Sequence, residues 1–76
     1  MLSMAKLPAL RSGEVMSVLR KAGFYISHRK GDHVKLRNQL GHTTVVPAHN
    51  RNIKRELLKR IIKDSELSEE RFLQSR

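Results

Sequence analysis

The stretch from Phe24 to Arg37 constrains the fold most. Phe24-Tyr25-Ile26 opens a strand running to about Arg29, and Val34-Lys35-Leu36-Arg37 alternates apolar and basic residues as a second strand. Glycine and aspartate between them mark a tight turn, so the two strands form a hairpin. A lone hairpin is marginal in water and needs a further strand or a packed helix. Loop length then decides which side chains share a face. A two-residue loop, Gly31-Asp32, pairs Lys30 with His33 and sets Phe24 and Ile26 beside Lys35 and Arg37, mixing core and solvent residues. A three-residue loop, Lys30-Gly31-Asp32, pairs Arg29 with His33 and Ile26 with Leu36. A one-residue slip exchanges the faces, so hydrophobicity selects the three-residue loop. The expected core face is Phe24, Ile26, Val34 and Leu36. The expected open face is Tyr25, Ser27, Arg29, His33, Lys35 and Arg37.

The flanking segments supply what the hairpin lacks. Val15, Met16, Val18, Leu19 and Ala22 form an apolar stripe at helical spacing. Ser12 suits the N-cap, Glu14 suits the first turn, and Gly23 suits the position after the C-cap, which predicts a helix over 12–22. Asn38-Gln39-Leu40-Gly41 reads as a turn and Thr43-Thr44-Val45-Val46 as a third strand stopped by Pro47. Asn50 or Asn52 can cap a second helix with Ile53, Leu57, Leu58, Ile61 and Ile62 on its apolar face. Ser68 caps a last short helix, with Leu67 and Phe72 placed as a hydrophobic staple. The expected fold is α+β: α-β-β-β-α with a three-stranded antiparallel sheet, helices on one face, and a short C-terminal helix.

A chain of 76 residues is expected to form one domain over 1–76, with 1–6 flexible and 64–76 a helical extension. It contains no cysteine, which excludes disulfide scaffolds and thiolate metal sites. No apolar run approaches the roughly 20 residues of a membrane span. The first residues are too short and too weakly apolar for an export signal, which points to the cytoplasm. The net charge is +9. The excess falls in two blocks: Arg20, Lys21, Arg29, Lys30, Lys35 and Arg37 against Asp32, then Arg51, Lys54, Arg55, Lys59, Arg60 and Lys63 against Glu56. Such one-signed blocks suit a polyanion or an acidic protein partner. The aromatic residues are only Phe24, Tyr25 and Phe72, too few for a base-stacking platform.

The four histidines match no metal-ligand spacing, and no metal or cofactor is expected. His28 falls on the core-facing parity and reads as structural. His42 opens the third strand and reads as a surface residue. His49, just before the second helix, orients that junction or touches phosphate. His33 differs, because it sits by a turn on an open face among Arg29, Lys35 and Arg37, where a phosphate would come within its reach.

At Arg29-Lys30-Gly31-Asp32-His33 the sequence resembles the HicA family of small toxins, mRNA interferases of toxin–antitoxin pairs. The resemblance runs from residue 7 to about 73. It includes Leu7-Pro8, Ser12-Gly13-Glu14-Val15, Leu19-Arg20-Lys21-Ala22-Gly23-Phe24, Val46-Pro47-Ala48-His49 and a lysine-rich helix ending Ile61-Ile62-Lys63. Two positions depart from the family pattern. Asp32 replaces the serine of the usual Gly-Ser-His, and Glu56-Leu57 stands where Gly-Thr often enters the second helix.

The resemblance implies a fold like the double-stranded-RNA-binding domain. It implies a type II toxin that cleaves mRNA with relaxed sequence preference, and a HicB-type antitoxin that covers its active site. His33 matches the catalytic histidine, and His49 matches a recurrent position. Arg29, Lys30, Lys35, Arg37, Lys54 and Arg55 are the candidate RNA-binding residues, with Gly31, Asp32 and His49 as site support. RNA carries its own nucleophile, the ribose 2′-hydroxyl, so the reaction needs proton transfer and charge stabilisation but no metal. The competing reading is a non-catalytic module that binds duplex RNA by shape and phosphate contacts.

Overall fold

The computed structural model describes residues 7–76, and the expected flexible segment 1–6 lies outside them. Among the described residues the order is β1 (Leu10–Arg11), α1 (Ser12–Lys21), β2 (Tyr25–Lys30), β3 (His33–Arg37), β4 (Thr43–Pro47), β5 (Asn52–Ile53), α2 (Arg55–Asp64) and α3 (Glu69–Gln74). Strands β2, β3 and β4 form an antiparallel sheet, and β1 pairs with β5 in a two-residue ladder. The α+β reading holds, with the short β1–β5 pair added to it.

Helix α1 ends as its sequence predicts. Gly23 takes a φ of +100°. Its N–H donates to the Arg20 carbonyl at 3.0 Å, and the Phe24 N–H donates to Leu19 at 2.9 Å. That is a Schellman ending, which favours glycine. Its start differs from expectation. Ser12 is already helical and Arg11 is the N-cap. The Ser12 hydroxyl turns to the distant Arg51, donating to its carbonyl at 3.1 Å and accepting its N–H at 3.0 Å. Asn50 Oδ1 accepts the Gly13 N–H at 3.0 Å. The 50–51 loop therefore satisfies helix donors that a local cap would otherwise take. This also explains why neither Asn50 nor Asn52 caps α2. Asn50 serves α1, Asn52 lies in β5, and Lys54 is the N-cap of α2.

The sheet buries one face. Val34 pairs with Val46 and Leu36 with Thr44, and all four are buried. They pack with Val15, Val18 and Leu19 of α1, Leu58, Ile61 and Ile62 of α2, and Phe72 of α3 in one apolar cluster. Ile53 joins that cluster from β5 rather than from the second helix. Ser68 caps α3 as expected, its Oγ accepting the Arg71 N–H at 3.0 Å. Phe72 is fully buried, so α3 closes the core rather than trailing from it.

The hairpin register departs from expectation, and the departure sets the site. The turn is the two-residue Gly31-Asp32, with Lys30 opposite His33 and Arg29 opposite Val34. Gly31 has a φ of +57°, which suits a tight turn with glycine at its first central position. A bulge at Ser27 then restores the pairing of Ile26 with Leu36. The apolar match and the favoured turn are thus both kept, at the cost of one unpaired residue.

Candidate active site on the open face

Pairing partners in an antiparallel sheet share a face. The register therefore assigns the open face row by row. Lys30, His33 and Pro47 form one row; His28, Lys35 and Val45 the next; Tyr25, Arg37 and Thr43 the third. The bulge moves two residues from their expected sides. His28 stands on the open face instead of the core-facing side. Arg29 stands on the helix side, where it lines a hollow with Arg20, Lys21 and Ser17. Ser27, also expected on the open face, is the bulge residue, and its Oγ donates to the Lys35 carbonyl at 3.3 Å.

His33 is exposed and lines two hollows. One, of about 250 Å³, is lined by His28, Lys30, His33, Lys35 and Val45. The other lies between β4 and α2 and adds Pro47, Leu57, Arg60 and Asp64. Lys30 and Lys35 thus stand beside His33, and Arg37 lies one row away on the same face. Lys54 and Arg55 stand at the start of α2, apart from both hollows. The ion pairs among the described residues involve Asp32 with His49 and Arg51, and Arg60 with Asp64. Lys30, Lys35 and Arg37 are therefore free to meet an anionic ligand. Among the described residues no cluster of three His, Cys, Asp or Glu could hold a metal ion.

The Asp32 carboxylate is held by the 48–51 loop. Its Oδ1 lies 3.2 Å from His49 Nε2, and its Oδ2 accepts from Arg51 Nη2 at 3.3 Å. The Asp32 carbonyl accepts the Ala48 N–H at 2.7 Å. Gly31 and Asp32 therefore act on the turn, which Asp32 ties to the 48–51 loop. His49 braces that turn, in a backbone with a φ of +68°, and lines neither hollow beside His33. Sequence reasoning passed over His28, Val45 and Arg60. The signal available for His28 was the Gly31-Asp32 pair itself, whose preference for a two-residue turn places His28 on the face of His33.

The geometry leaves an exposed imidazole and unpaired ammonium groups on one solvent-facing sheet surface, carried by the segment whose motif resembles the toxin family. Comparison with known proteins bears on that resemblance directly. No curated protein matches the chain. The family model described as "HicA toxin of bacterial toxin-antitoxin" matches residues 12–67, from the first residue of α1 to the approach to α3. A match over most of a 76-residue chain, on the fold expected for it, means that this protein belongs to the HicA toxin family of bacterial toxin–antitoxin systems.

Proposed function

We propose that this toxin is an endoribonuclease that cuts mRNA at the open face of its sheet. Supporting this reading is the position of His33, exposed, lining two hollows and flanked by Lys30 and Lys35. The ribose 2′-hydroxyl attacks the adjacent phosphorus, a 2′-O–P bond forms, and the P–O5′ bond breaks. The products are a 2′,3′-cyclic phosphate and a 5′-hydroxyl. His33 transfers a proton in this step, because imidazole can give and take protons near neutral pH. Lys30 and Lys35 hold the phosphate and offset the charge that builds on it. Arg37 extends the cationic track along the strand, and Lys54 and Arg55 provide a second, more distant phosphate contact. Arg29, with Arg20 and Lys21, engages the strand where it leaves the open face around β2. None of these steps calls for a metal or cofactor.

Sequence preference is relaxed, because few aromatic or amide groups on this face could read bases. A HicB-type antitoxin silences the enzyme in the cytoplasm by covering the open face. The exposed Tyr25 and Val45 give that partner apolar contact among the cations.

The test is a DNA strand carrying one ribonucleotide. Cleavage only 3′ of the ribonucleotide, with the all-DNA strand intact, is the expected result. Equal cutting of both strands removes the 2′-hydroxyl mechanism. Binding of RNA without any cleavage would favour the duplex-binding module instead.

A further inference from the structure

We propose that His28 is the second proton-transfer group of the cleavage reaction, acting with His33 across the same phosphate. The inference rests on the nuclease reading above and extends it, because that reading supplies only one group for two proton transfers.

Three observations carry it. First, His28 and His33 line one hollow together with Lys30, Lys35 and Val45. Second, the register makes the two histidines diagonal neighbours. His28 is paired with Lys35, two residues beyond His33 on the same strand. Diagonal partners of this kind lie roughly 7–8 Å apart between Cα atoms, so imidazoles can approach one ligand from two sides. Third, His28 reaches this face through the bulge at Ser27. Without that extra residue the ladder that pairs Ile26 with Leu36 would turn His28 toward the helices. Bulges commonly re-aim a side chain beside an active site.

In-line displacement at phosphorus needs a base on one side and an acid on the other. One imidazole accepts the 2′-hydroxyl proton as the 2′-O–P bond forms. The other, entering as imidazolium, gives its proton to the 5′-oxygen as the P–O5′ bond breaks. The two histidines leave in exchanged protonation states and reset through solvent, so protons balance. Lys30 and Lys35, which line the same hollow, stay on the non-bridging oxygens.

The test compares wild type with His28→Ala and His28→Gln in metal-free buffer. It reads kcat and KM across pH, and affinity for an RNA whose scissile nucleotide is 2′-deoxy. His28 is exposed, so neither variant disturbs the core. Wild type is expected to show a rate that rises and then falls with pH. Both variants are expected to lose kcat by about 10²–10⁴-fold and to lose one limb of that profile. Affinity for the 2′-deoxy strand should stay close to wild type. Retention of both limbs, recovery by glutamine, or a loss confined to KM and affinity would make His28 a phosphate contact and overturn the proposal. His33→Ala, run alongside, separates the two readings. If it cleaves like wild type, the nuclease site itself is misplaced. If it is inactive while His28→Ala is fully active, only the second histidine falls.

Discussion

Replacing Phe72 with alanine should nearly unfold this protein. Phe72 lies in the last helix, beyond the segment matched by the family model, yet it is completely buried. It joins α1, α2 and the sheet in one cluster, and α3 contacts both longer helices. A phenylalanine buries on the order of 150–250 Å², worth about 4–6 kcal/mol at roughly 25 cal/mol per Å². Measured Phe→Ala changes in cores fall at about 3–5 kcal/mol. A domain of this size holds only about 4–11 kcal/mol in total. At about 4–8 °C per kcal/mol, the midpoint should fall by roughly 10–40 °C. Urea titration followed by far-ultraviolet circular dichroism should show an earlier midpoint with an unchanged slope. Leu73→Ala, at a half-buried neighbour, should cost less. A loss under about 1 kcal/mol for Phe72→Ala would mean that α3 does not close the core, and would refute the packing argument.

Other substitutions test the joints around the site. Ser12→Ala removes the hydroxyl that pairs with both backbone groups of Arg51, and should cost about 2 kcal/mol by urea titration. Asn50→Ala strips the acceptor from the Gly13 N–H and should cost about 1 kcal/mol, measured in the same way. Asp32→Asn weakens two exposed ion pairs, so stability should change by less than about 1 kcal/mol. Because that carboxylate faces the 48–51 loop, the pH profile of cleavage should stay in place. Lys35→Ala should lower the slope of log affinity against log salt for single-stranded RNA by about 0.7, the share of one phosphate contact.

The elements legible in the sequence were those written by local rules. The stripe of α1 and Gly23 locate that helix and its end, and Ser68 starts α3 as expected. Non-local partners were not legible. Ser12 and Asn50 look like caps for the segments that follow them, but each bonds across the chain to the other's neighbourhood. The β1–β5 pair has too few residues to show a period. The hairpin was the instructive case. The alternation of Val34 and Leu36 identifies the core face, but it points to the three-residue loop Lys30-Gly31-Asp32, whereas the turn formed is the two-residue Gly31-Asp32. The alternation and that turn conflict by one residue, and a bulge resolves the conflict without sacrificing either. That residue decides that His28, and not Arg29, stands on the open face with His33. The position of His33 itself followed from β3 alone, whose parity does not depend on the turn.

His33 is proposed to transfer a proton on RNA at the open face. The most direct measurement is cleavage of an RNA by wild type and His33→Ala in the presence of EDTA, with the 3′ ends of the products identified. Wild type is expected to leave 2′,3′-cyclic phosphate ends, and the variant to lose cleavage. Full activity in the variant, or cleavage that needs added Mg²⁺, would contradict the proposal.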